Sequence, residues 1–239
     1  MTRATDGIAV SIVVPAHNEA RLLPATLEAL AAAVGSIALP TELIVVDDAS
    51  TDETAAIAAE AGARVISVEA RKISAVRNAG AREAAGRILI FVDADTIVPA
   101  AALGAAVSAL EGGAVGGGTM VRFDDETPWH GRVAVRGLNL LFRIIRLAPG
   151  CFVFCRRDTF ETIGGFDETL YASEEVRLSS DLRKHGRFVM LREPVVTSGR
   201  KLRMYPLWSM IALCLRAAVR PRVALTEPHP LWYEGRREE

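Results

Sequence analysis

Four short apolar segments, each followed by a helical pattern, constrain the fold of this 239-residue chain more than any other feature. They span residues 10–14, 42–47, 64–68 and 88–92. Between them, helical spacing covers 22–34, 52–61 and 73–85, and Gly62 and Gly86 supply stops for the last two. Strands this apolar need cover on both faces, so the pattern predicts a mostly parallel sheet between layers of helix. Ligands of such sheets collect at the carboxyl ends of strands. Pro15 is read as the end of the first strand.

The second half is less regular. It predicts helices over 100–110, 129–147, 174–185 and 205–219, and strands over 115–123, 151–155 and 188–191. Neither an internal repeat nor a linker is visible. The expected organisation is a disordered stretch at 1–8, one domain over 9–195, and a basic loop with an amphipathic extension over 196–239.

A formal net charge of -1 gives no overall pull toward nucleic acid, and no aromatic platform accompanies the basic segments. Cys151, Cys155 and Cys214 suit buried reduced thiols better than a disulfide framework or a zinc site. No basic region leads into an apolar signal core, and the late apolar run 207–219 carries Arg216 and is short for a bilayer. A cytosolic address is expected.

Three polar clusters fall at predicted strand ends: Pro15–Glu19 (PAHNE), Asp47–Asp52 (DDASTD) and Asp93–Thr96 (DADT). Two carboxylates one residue apart repel each other unless a cation lies between them or their partners. Magnesium or manganese held by one or two carboxylates and by substrate phosphates fits that need. Asp52 also suits a helix cap, and Asp48 a turn.

The stretches SIVVPAHNE (11–19), IVVDDASTDE (44–53), RNAG (77–80), AGRILIFVDADT (85–96) and GGFDE (164–168) resemble the family 2 glycosyltransferases in order and spacing. The resemblance implies an α/β fold of the GT-A type: a Rossmann-like nucleotide-diphospho-sugar transferase with a mixed central sheet flanked by helices and a C-terminal helical extension. It also implies inverting transfer of one sugar from a nucleotide-diphosphate donor to an unidentified acceptor, with Mg2+ or Mn2+. Pro15 and His17 would border the base, Asp48 would hydrogen-bond it, and Asn18 and Glu19 would shape the first loop. Arg77 would lie near the nucleotide, Asp93 would reach the ribose and the metal, and Asp95 would bind the metal.

The family's general base is an aspartate after a glutamate at a helix start; here the pair is Glu174-Glu175, which gives Glu175 that role. A carboxylate need only accept the proton as the acceptor hydroxyl attacks. Both glutamates would also suit a helix N-terminus on electrostatic grounds alone. Gly165, Phe166 and Asp167 would form the turn beneath the acceptor, and Arg200 and Lys201 a basic loop closing over the diphosphate. The Gln-x-x-Arg-Trp motif of the family's processive synthases is missing, which favours single transfer.

From residue 129 to 157 there are six arginines and no acid, and from 194 to 226 six basic residues and no acid. Leu138, Leu141, Phe142 and Ile145 give the first segment an apolar face. Basic amphipathic helices suit anionic membranes, so peripheral membrane contact and a lipid-linked acceptor are expected, against the alternative of a core-packed helix with a solvated arginine face. The rival functions are a nucleotidyltransferase, which lacks its glycine-rich phosphate loop here, and a degenerate transferase acting as a binding module.

Overall fold

The computed structural model describes residues 7–124, 135, 137, 139, 140, 142–144, 146–171 and 173–200. Strands β1 (Val10–Ala16), β2 (Thr41–Asp48), β3 (Arg64–Val68) and β4 (Ile88–Val92) alternate with helices α1 (Leu23–Val34), α2 (Thr54–Glu60) and α3 (Ile73–Glu83). Then come β5 (Thr96–Ile97), α4 (Ala100–Glu111), β6 (Gly116–Phe123), β7 (Phe152–Arg156), α5 (Arg157–Thr162), α6 (Glu174–His185) and β8 (Phe188–Thr197). The eight described strands form one sheet in the order β3-β2-β1-β4-β7-β6-β8-β5. The first four are parallel, β7 is antiparallel to both β4 and β6, and β6 pairs parallel with β8. The sheet is therefore mixed.

Alternate strand residues face opposite sides of the sheet. Ile12, Val14 and Ile90 pack with Leu23, Leu27 and Leu30 of α1 and Leu103 of α4. Val13, Ile44, Val46 and Phe91 pack with Val76 of α3, Phe160 of α5 and Leu178 of α6. Burying both faces removes any reason for polar alternation, and each such side chain contributes about 2 kcal/mol. Gly80 lets α3 approach the sheet: a Cβ there would collide with the side chains of Val13 and Val46.

Two prolines sit inside strands that the sequence reading ended early. Pro15 pairs with Val46 of β2, but pairing of β1 with β4 stops at Val13, so the missing N–H leaves no gap between those two strands. β8 runs through Pro194 to Thr197 because its register with β6 is interrupted between Thr119 and Val121, opposite the proline. The short elements β5 and α5 were not predicted. The 205–219 helix lies outside the described residues, as do residues 1–6 and all of 201–239. Within the predicted 129–147 helix, residues 135, 137, 139, 140 and 142–144 are helical.

Candidate active site

The three polar clusters meet where β1, β2 and β4 end, and hydrogen bonds stitch them together. The Asn18 N–H donates to Ser50 Oγ at 2.8 Å, and Asn18 Oδ1 accepts from the Thr51 N–H at 2.6 Å. The Glu19 N–H donates to Thr54 Oγ1 at 2.7 Å. His17 Nδ1 lies 2.7 Å from the Asp48 carbonyl and its Nε2 lies 3.3 Å from Arg71 Nη1. Nδ1–H donating and Nε2 accepting is the tautomer that satisfies both contacts. Asp48 Oδ1 accepts from the backbone N–H groups of Ala70 and Arg71 at 2.7 and 3.1 Å, which ties in the loop after β3. Asp52 accepts from the Thr54 N–H at 3.0 Å in the turn before α2, whose N-cap position is held by Glu53 and not by Asp52 as expected. It also accepts from the Ala20 N–H at 3.1 Å. Beside these, Asp47 Oδ1 is buried without a hydrogen-bond partner, although Oδ2 lies 3.4 Å from the Ser50 N–H.

The two aspartates of the third cluster each face an arginine. Asp93 Oδ1 accepts from Arg77 Nη2 at 2.7 Å, while Arg77 Nη1 donates to Glu174 Oε1 at 2.7 Å and Nη2 to the Gly150 carbonyl at 2.9 Å. Arg77 is 1% exposed. Burial acts to lower its pKa, but Asp93 and Glu174 outweigh that and raise it above the ordinary arginine value. Arg77 points into the protein, toward Asp93 and Glu174. Glu174, buried in the same clasp, serves as its counter-ion.

Asp95 lines a cavity of about 300 Å³ together with Asn18, Glu19, Asp124, Thr197 and Arg200. Its Oδ2 is 3.4 Å from Arg200 Nη2, and its Oδ1 accepts from the Thr197 hydroxyl at 3.2 Å. Arg200 also grips Glu19 in a fork, at 2.8 and 2.5 Å. The loop after β8 thus reaches the loop after β1. Lys201 lies outside the described residues.

Glu175, in the first turn of α6, is half-buried. A Cβ built on Gly150 would lie 3.6 Å from its carboxyl carbon and from Arg77 Nη2, so base candidate and clasp converge there. Burial, then the neighbouring Glu174, push the Glu175 carboxyl up to about 8. Ser173, just before α6, adopts a left-handed backbone with φ 63°, which turns the chain into the helix.

The expected acceptor turn is built from beneath. Gly164 and Gly165 take φ of 82° and 77°, a backbone that favours glycine. Asn78 holds the turn, donating to the Phe166 carbonyl at 2.9 Å and accepting from its N–H at 3.0 Å. That role was missed, although Asn78 stands in the RNAG motif. Phe166 is 2% exposed and packs edge-on against Phe91, with the Arg77 guanidinium 5.2 Å from its ring centre. It supports the clasp from inside the core. Asp167 is occupied with Thr169, accepting from its N–H and hydroxyl at 2.9 and 2.6 Å.

Among the described residues no three His, Cys, Asp or Glu side chains are grouped to hold a metal alone. The carboxylate of Asp95, which lines this cavity, still fits a hard cation whose remaining ligands come from phosphate.

Mixed sheet and strand-end loops together define the GT-A glycosyltransferase fold. The structure of the Pyrobaculum calidifontis mannosyltransferase PcManGT, in complex with GDP-Man and Mn2+, superimposes with a TM-score of 0.64 at 22% identity, over 94% of this chain and 67% of that one. The chain belongs to glycosyl transferase family 2, whose profile matches residues 11–164. It is 33% identical over 141 residues to an undecaprenyl-phosphate 4-deoxy-4-formamido-L-arabinose transferase of Serratia proteamaculans, covering 56% of this chain and 43% of that protein. It is 38% identical over 104 residues to the glucosyl-3-phosphoglycerate synthase of Mycolicibacterium smegmatis, covering 40% and 34%. The chain therefore spans less than half the length of these curated relatives.

Proposed function

We propose that the chain transfers one sugar from a nucleotide-diphosphate donor to an acceptor hydroxyl, with inversion at the anomeric carbon. The observation that carries this reading is the convergence of Asp93, Asp95, Arg200 and Glu175 beside one stitched strand-end cradle. His17 and Pro15 border the base and Asp48 accepts from it. Asp93, oriented by Arg77, meets the ribose. Arg200 moves from Glu19 and Asp95 to the diphosphate.

Magnesium or manganese bound at Asp95 would supply Lewis-acid neutralisation of the charge growing on the leaving diphosphate. Glu175, deprotonated, takes the acceptor's proton as its oxygen attacks the anomeric carbon. The bond to the diphosphate breaks with its electron pair on the phosphate oxygen, so one displacement inverts the centre. A carboxyl with raised proton affinity is a better base near neutral pH.

A phosphate acceptor, such as the name of the Serratia relative suggests, is already ionised near neutral pH and needs no base. Glu175 therefore favours a hydroxyl acceptor. Manganese-dependent hydrolysis of nucleotide sugars, screened over UDP and GDP donors, tests the donor half. Glu175→Gln tests the acceptor half: it should bind donor normally and lose transfer. Lost donor binding in that variant would reject the assignment.

A further inference from the structure

Among the described residues the exposed large hydrophobic side chains are Leu140 (59%), Ile144 (70%) and Val176 (36%). Leu140 and Ile144 lie four apart in a helix and so share a face. Arg143 and Arg146 are exposed beside them, and Arg177 beside Val176. Of the four residues expected to make the apolar face, Phe142 is half-buried, and Leu138, Leu141 and Ile145 lie outside the described residues. The water-facing apolar positions are their neighbours.

This surface adjoins the candidate site. The chain runs from Ile144 into Ala148, whose N–H donates to Ser179 Oγ of α6 at 3.1 Å, and then to Gly150 against Glu175. Val176 directly follows the proposed base.

We propose that this helix face and its arginines dock on an anionic lipid bilayer, so that the acceptor side of the site opens toward the membrane surface. Charge selects that occupant over the others. The described residues between 135 and 146 carry the exposed Arg143 and Arg146 and no acid, so a second copy laid symmetrically on the face would set arginine against arginine. The chain's own segment 194–226 has six basic residues and no acid, and would be repelled in the same way. An anionic surface complements the arginines, and its acyl boundary accepts leucine and isoleucine. Among the described residues no helix is long and apolar enough to cross a membrane. That the docked face serves an acceptor rests on the transferase reading; the docking itself does not.

The test is flotation of the full chain with phosphatidylcholine vesicles, with and without phosphatidylglycerol, at low and high salt. The proposal expects binding only with phosphatidylglycerol, weakened by salt. Arg143→Ala with Arg146→Ala should lower the affinity about 25-fold, roughly fivefold per arginine. Leu140→Ser with Ile144→Ser should lower it at least about tenfold while leaving the melting temperature and donor hydrolysis in free solution unchanged. Absence of vesicle binding, or undiminished binding by both double variants, would overturn the proposal. So would a self-associating chain that Leu140→Ser with Ile144→Ser converts to monomer, because a second copy would then be the occupant. Donor hydrolysis without vesicles reads the transferase activity separately, so failure of one leaves the other standing.

Discussion

Arg77 holds two acids 81 residues apart in sequence, Asp93 and Glu174, with a side chain that is almost wholly buried. Removing one partner of a buried ionic cluster leaves charge without compensation, which costs about 3–5 kcal/mol. Arg77→Met should therefore lower the unfolding free energy measured by urea titration by about that much. Arg77→Lys should recover little, since one ammonium cannot fork to both acids and to the Gly150 carbonyl. Glu175 makes the opposite prediction. Its folded pKa of about 8 lies above the unfolded value, so the folded state binds its proton more tightly. The associated stability is complete below the unfolded pKa near 4.5 and drains away as pH rises through about 8. Glu175→Gln should match the wild-type melting temperature at pH 4 and exceed it increasingly toward pH 9. Equal melting curves across that range would mean the carboxyl is solvated. Asp48, Asp93 and Asp95 were legible as candidates because carboxylates clustered at strand ends need a reason, whereas Glu175 was picked out only through the family resemblance. The inward turn of Arg77 and Phe166 was not legible, because their partners stand 97 and 75 residues away. Proximity of that kind is a product of the sheet order.

At the level of elements, the parallel half of the sheet was readable because burial on two faces leaves continuous apolar runs. β5 and α5 were not: two residues carry no periodicity, and six give less than two helical turns. The extents of β1 and β8 were misjudged at Pro15 and Pro194, where the ladder tolerates a missing donor for reasons of register that only the assembled sheet reveals. α3 offers a clean test of packing against propensity. Gly80→Ala gains about 1 kcal/mol of helix propensity. Against it stands overpacking of about 1–3 kcal/mol, since the new methyl meets two branched side chains on a buried strand face. We expect net destabilisation, read as an earlier unfolding midpoint. A more stable Gly80→Ala would mean that α3 can back away from β1 and β2 without cost.

For the whole molecule, the fold brings loops from both halves of the chain to one edge of the sheet. The β1, β2 and β4 loops supply a cradle, the β8 loop supplies Arg200, and α6 supplies Glu175. Arg200 bridges Glu19 and Asp95, so under the proposed function a donor diphosphate would have to draw it away from both carboxylates. Arg200→Gln should accordingly weaken nucleoside diphosphate binding about tenfold, the loss of one charge-assisted fork, with a loss of stability smaller than that of Arg77→Met because Arg200 is the more exposed arginine. Titration calorimetry would check it. The central claim is narrower: a divalent cation is shared between Asp95 and the diphosphate. Its most direct measurement is the affinity of UDP and GDP with and without Mn2+, in the wild type and in Asp95→Ala. The account predicts that Mn2+ tightens one of the two at least about tenfold in the wild type and has no effect in the folded variant. Equal enhancement in both proteins, or no nucleoside diphosphate binding with the metal present, would contradict it.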